Sequence, residues 1–211
     1  MRKLLDLELL VEKVLIGGDM NRTFKVKNPA TLIQMANENV TPIPASSLKG
    51  LLRYLACIAA RRMNMKKEYF ELFGQDVGVR DSRESGLRDR CFGDKASRYF
   101  NMHGKIVFVN KGVSKNSIVP IVNPGISIDP VTRRVKEGSL WFYQYYTSKV
   151  SEAIPVRFEI WVNNDLSVNE RKLLCYALKL LKHREIGGRV TVGLGRIVDV
   201  KITPENFCSE G

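Results

Sequence analysis

Leu5, Leu7, Leu9 and Val11 alternate with Asp6, Glu8 and Glu12, the two-residue period of a strand that buries one face. Residues 4–16 are therefore expected to form the first strand. From Ser46 the period lengthens, because Leu48, Leu51, Leu52, Leu55, Ile58, Ala59 and Met63 recur at spacings of three and four, which is one face of a helix. Pro44 stops the lead-in, and Ser46 or Ser47 is placed to cap. Short strands fit residues 105–110 and 140–146. The clearest alternation sets Ile154, Val156, Phe158, Ile160 and Val162 against Pro155, Arg157, Glu159 and Trp161. S-V-N-E at 167–170 reads as a capping box for a second helix carrying Leu174, Ala177, Leu178 and Leu181 on one face, and Gly187 ends it. The closing strand covers 190–202, with Val190, Val192 and Leu194 sharing a face before glycines permit a bulge.

Between these elements lie segments without sustained periodicity. Residues 17–45 read as a long loop, residues 74–100 are polar and dense in Arg and Asp, and residues 110–139 carry Pro120, Pro124 and Pro130. The order is strand, helix, strand, strand, helix, strand with a large excursion in the middle. It predicts an α+β fold with the ferredoxin-like βαββαβ plan shared by RNA-recognition modules. At 211 residues the chain suits one domain, its core about 1–73 and 140–203 and its insertions about 74–139.

Composition then narrows the partners. Thirty-four Lys and Arg against 22 Asp and Glu give a net charge of +12, which favours a polyanion, although a merely solvated basic surface has the same composition. No run reaches the roughly 18–20 apolar residues of a membrane span, and acids interrupt the N-terminal M-R-K-L-L-D-L-E where a signal peptide needs an unbroken apolar stretch. A cytoplasmic protein without a membrane partner is expected. Cys57, Cys91, Cys175 and Cys208 are far apart and form no C-x-x-C, so buried thiols are expected rather than a metal site or a disulfide framework, and no cofactor is indicated. His103 and His183 match no catalytic spacing. In W-F-Y-Q-Y-Y at 141–146 alternation sends half the aromatics inward, with Leu140, Phe142 and Tyr146 the choice for the core.

Two constellations carry candidate chemistry. In P-I-P-A-S-S-L-K-G-L-L-R, Lys49 and Arg53 are four apart beside Ser46 and Ser47, where backbone donors, a positive dipole end, hydroxyls and cations would together seat a phosphate. The same residues also suit an ordinary capped amphipathic helix. In G-G-R-V-T-V-G-L-G-R, Gly187, Gly188, Gly193 and Gly195 are flanked by Arg189 and Arg196. This segment follows a helix and opens a strand, the reverse of a dinucleotide fingerprint. It fits close approach by a ribose-phosphate chain, or a helix C-cap followed by a bulge.

With I-G-G at 16–18, L-F-G at 72–74 and I-D-P-V-T-R-R-V-K-E-G-S-L at 128–140 added to these two motifs, the chain resembles the RAMP (repeat-associated mysterious protein) superfamily, specifically the repeated backbone subunit of type III CRISPR effector complexes. The resemblance implies a modified RNA-recognition domain with a protruding thumb, stacked with other RAMP subunits along CRISPR RNA and meeting target RNA through guide pairing. Ser46, Ser47, Lys49 and Arg53 would hold the guide backbone, with the glycine-rich loop beside them, and residues 128–140 would border the thumb that enters between bases. The family's RNA-cutting members carry an Asp after the first strand in a pattern like I-D-S-P-V. Here V-K-N-P-A at 26–30 puts Lys27 in its place, so the resemblance implies holding RNA rather than cutting it. Asp19 is a weaker substitute. The alternative is a RAMP endoribonuclease that cuts target RNA or processes CRISPR transcripts.

Overall fold

The structure is a computed structural model that describes residues 1–14, 33–34, 39–41, 43–74, 90–92, 104–188, 191 and 193–209. In chain order the elements are β1 (Arg2–Val11), β2 (Ile33–Gln34), β3 (Asn39–Thr41), α1 (Ala45–Met63), α2 (Lys66–Phe73), β4 (Ile106–Ser114), β5 (Ile118–Gly125), β6 (Trp141–Ser148), β7 (Ile154–Val162), α3 (Val168–Leu180) and β8 (Ile197–Thr203). This is a mixed α/β fold. Six strands form one sheet in the order β2-β3-β4-β7-β1-β8, and β5 and β6 pair separately. Every pairing is antiparallel.

The alternation in β1 and β7 does what its period requires. Leu5, Leu7, Leu9 and Val11 face Ile160, Phe158, Val156 and Ile154 across the register, and all are buried. Directly opposed residues of an antiparallel pair share a face. Leu48, Leu52 and Leu55 of α1 and Leu174, Ala177 and Leu178 of α3 belong to the same core, each large aliphatic side chain contributing about 1.5–3 kcal/mol by leaving water. Ser167 caps α3 through a reciprocal box with Glu170.

Several sequence-based expectations are corrected. Residues 17–45 were expected to be loop, yet 33–34 and 39–41 are strands at one edge of the sheet. The short α2 was not expected at all; Tyr69, Leu72 and Phe73 are its buried side, too short a run for periodicity to reveal. The excursion contains β5, whose Pro120 and Pro124 are four apart. Both therefore sit on the same side of the ribbon, where a missing N–H costs no ladder bond. Leu140 and Phe142 are exposed instead of core, because β6 belongs to the separate β5–β6 ribbon, and Tyr145 and Tyr146 near the base are the buried residues of β6 among those described. The closing strand starts at Ile197 rather than at residue 190.

The largest correction concerns the cysteines. Cys57 is bridged to Cys91 and Cys175 to Cys208, with Cα–Cα distances of 5.8 and 5.5 Å that suit a disulfide. The partners are 34 and 33 residues apart, a separation that no local motif reveals. Among the described residues, no helix is long and apolar enough to cross a membrane.

Candidate nucleic-acid interface

The sheet topology gathers the candidate residues at one end. β3 pairs with the last residues of β4, Val113 and Ser114, and the Asn110 side chain donates to the carbonyl of Ile43 just ahead of α1. The α1 N-terminus is thereby fixed where β4 finishes. Gly112 of β4 and Glu8 of β1 both face Arg157 of β7, so β1 finishes at the same end. There the loop after α3 folds back on itself: the Ile186 N–H donates to Gly195 at 2.8 Å, Gly195 to Glu12 at 3.0 Å, and Glu12 to Arg196 at 2.9 Å. Gly195 is irreplaceable on two counts, since its φ is +76° and a Cβ would stand 1.9 Å from the Ile186 carbonyl oxygen. Leu194 is buried beside Tyr145 and Ile121, which ties the loop to the base of the β5–β6 ribbon.

At α1 the expected serine cap is absent. Pro44 occupies the N-cap position with extended backbone, and it is the Pro44 carbonyl that accepts from the Ser47 and Leu48 N–H groups at 3.0 and 3.4 Å. Ser46 and Ser47 lie inside the first turn with their side chains exposed. No acid occupies that turn, so its positive end is left unneutralised from within the helix. Lys49 is half-buried, and burial, followed by the neighbouring Arg53 charge, pushes its ammonium below the ordinary 10.5. Arg53 turns the other way and donates to the carbonyl of Phe73, the last residue of α2, satisfying a helix C-terminus. Its charge also acts on Lys49, one turn earlier in α1.

Gly50 is the residue that sequence reasoning left unassigned. A glycine inside a helix costs roughly 0.5–1 kcal/mol relative to alanine, and here a Cβ would meet nothing within 4 Å. Packing among the described residues therefore gives no reason for it. It lies three and four residues after Ser47 and Ser46, on their face, where its bare backbone lets another chain come close. The signal was present in the sequence as a glycine in the middle of an apolar helical pattern.

The ribbon adds a different surface. Beyond β5 and β6 its tip closes through an Ile128–Val135 bridge, and the Asp129 carboxylate accepts from the Val131 and Thr132 N–H groups at 2.8 Å each, which lowers its pKa. Val131 is 88% exposed, and Ile126, Ile128 and Val135 are exposed beside Arg133, Arg134 and Lys136. Apolar side chains held out on a hydrogen-bonded turn among cations suit insertion between bases with the phosphates alongside.

The open face of the sheet is built differently. RNA-recognition modules stack bases on aromatic residues there, whereas here Glu8 lies between Arg157 at 2.7 Å and Lys201 at 3.3 Å, the Arg157 hydrogen bond lowering its pKa. Glu159 lies between Lys111 at 3.2 Å and Lys3 at 3.6 Å and accepts from the Trp161 indole. Acids with their own cations make a poor seat for phosphate.

Of the candidate residues, Gly187, Gly193 and Arg196 are exposed and Gly188 is half-buried in the folded-back loop. Arg189, Asp19 and Lys27 lie outside the described residues. No curated protein matches the chain. A family model described as the RAMP superfamily matches residues 14–198, a span that includes α1, the ribbon and the glycine-rich loop. With this match running through each segment that shapes the candidate interface, the chain belongs to the RAMP superfamily, whose members are associated with CRISPR-related RNA-binding complexes.

Proposed function

We propose that the chain is a CRISPR RNA-binding subunit of a type III effector complex, stacking with other RAMP subunits along the guide and meeting target RNA through guide pairing. In this reading, β1, α1, β4, β7, α3 and β8 are the ferredoxin-like βαββαβ core, and the β5–β6 ribbon is a thumb inserted between its halves. Ser46, Ser47, Lys49 and the α1 N–H groups hold the guide backbone, Arg196 and the adjacent glycines border its path, and the ribbon tip enters between bases. The observation that carries the reading is Gly50, a helix-interior glycine unexplained by packing among the described residues on the face of an acid-free helix N-terminus.

Binding of fluorescently labelled single-stranded RNA across a salt series tests it. Lys49→Ala should weaken binding regardless of sequence and reduce the slope of log affinity against log salt by about 0.7, the value per phosphate on a single strand. Gly50→Ala should stabilise the free chain by roughly 0.5–1 kcal/mol while weakening RNA binding, two effects of opposite sign that simple destabilisation would not produce. Wild-type affinity and slope in both variants would reject the reading.

The depressed pKa of Lys49 adds a pH dependence. A phosphate favours the charged ammonium, so affinity should fall as pH rises through the lowered pKa, beginning below the 10.5 of an ordinary lysine. Lys49→Arg, which stays charged throughout, should flatten that fall in the same titration.

A further inference from the structure

At the other end of the sheet, where β1 starts and β8 finishes, α3 and the turn at Glu205–Cys208 enclose a groove of about 160 Å³. We propose that this groove is a docking site for an acidic peptide segment of a protein partner, with one apolar side chain of the peptide seated between Val168, Tyr176 and Phe207.

The walls select the charge. Arg171, Lys172 and Lys179 line the groove, and among the described residues no carboxylate does. Lys172 and Lys179 form no ion pair among the described residues, whereas Glu170 is engaged by Lys105 at 2.6 Å and Asp199 by Lys182 at 3.2 Å. A peptide carboxylate is the complement that such a rim lacks. The walls also select an apolar anchor, because Val168 is 72% and Tyr176 45% exposed about two turns apart on α3, with Leu166 and Phe207 also lining the groove.

The far wall is fixed in advance. A short C-terminal turn would ordinarily fray, but Cys208 is bonded to Cys175 of α3. Arg171 Nε donates to the Phe207 carbonyl at 2.9 Å, and its guanidinium lies 4.6 Å from the Phe207 ring centre. A partner docking here meets a groove whose ordering cost has already been met by folding. RNA is the poorer occupant. The first turn of α3 is closed by its own capping box with the Glu170 carboxylate inside it, so the helix end offers a phosphate no seat.

The test uses the full oxidised chain and labelled short peptides of Glu and Asp carrying one central Leu, Phe or Met, compared with a Gln-centred peptide and with oligouridylate. At least one anchored peptide should bind at least about tenfold more tightly than the Gln-centred one, and Lys172→Glu with Lys179→Glu should reduce that binding by about tenfold or more. Lys49→Ala, which bears on the RNA-binding proposal, should leave it unchanged, so either reading can fail alone. Chemical-shift perturbation in the unaltered chain, centred on Val168 and Tyr176, supports the same conclusion without relying on any variant. The proposal is overturned if no anchored peptide exceeds the Gln-centred control, if the shifts lie elsewhere, or if oligouridylate displaces the peptide from these residues.

Discussion

Removing both disulfides is expected to lower the stability of the chain by about 3–4 kcal/mol per bridge, and its melting temperature by about 15–25 °C in all. The loops closed by Cys57–Cys91 and Cys175–Cys208 span 34 and 33 residues, so each bridge removes a comparable amount of freedom from the unfolded chain. The two bridges staple different elements, α1 to residues 90–92 and α3 to the C-terminal turn, and share no residue. Cys57→Ser with Cys91→Ser, and Cys175→Ser with Cys208→Ser, should therefore have nearly additive effects. Thermal unfolding with and without reductant measures the change. Thiol titration of the denatured chain should find no reactive thiol before reduction and four after it; four at the outset would refute the pairing.

Lys105→Met is the second substitution expected to have a large effect, a loss of about 3 kcal/mol, because it strands a buried carboxylate. The Glu170 side chain is only 1% exposed; its Oε1 accepts from Lys105 at 2.6 Å, and its Oε2 accepts from the Ser167 N–H at 2.7 Å within the capping box. Lys105 also reaches Glu71 of α2 at 2.7 Å, so a single ammonium joins α2 to α3. Adding Glu170→Gln should recover much of the loss, since the amide oxygen can keep the cap without a charge. Denaturant midpoints of the two single variants and the double variant complete the cycle.

The same ammonium sets the sign of the pH response. Hydrogen bonding to Lys105 lowers the Glu71 pKa below 4.5, so this contribution is present above the unfolded value and is lost as pH falls through the folded one. Lys105 itself is raised above 10.5 by its two carboxylate partners, which outweigh its partial burial. Its contribution is present below 10.5 and is lost as pH rises through the folded value. Lys105→Met should flatten both limbs of the stability profile.

The long alternations were legible because burial on one face of a sheet has a fixed period, and β1 and β7 repeat it without interruption. The α3 capping box was legible for a similar reason, as its donors and acceptors all lie within four residues. What could not be read depended on contacts across the chain. The α1 serines look like caps until Pro44 is seen to hold that position. Arg53 is read from its spacing to Lys49, and its hydrogen bond to the Phe73 carbonyl depends on α2, itself unread. Phe142 follows the alternation of a core strand, but its strand pairs only with β5 in a separate two-stranded ribbon among the described residues, and its side chain is exposed. Motif spacing found the glycine-rich loop, yet only the backbone shows why Gly195 is needed while Gly50 meets no constraint among the described residues.

The two bridges also decide how the chain responds to a protease. Each closes a ring inside one half of the sequence, and the rings do not overlap. A cut at any peptide bond between Cys57 and Cys91, a stretch that includes Arg80, Arg83, Arg88 and Arg90, opens the ring but leaves the two pieces covalently joined. A cut between Cys91 and Cys175, for example at Arg133 or Arg134 in the ribbon tip, separates them. On a non-reducing gel a nick of the first kind leaves the mass of the chain intact and a nick of the second kind divides it, so electrophoresis alone distinguishes damage within a ring from loss of the ribbon.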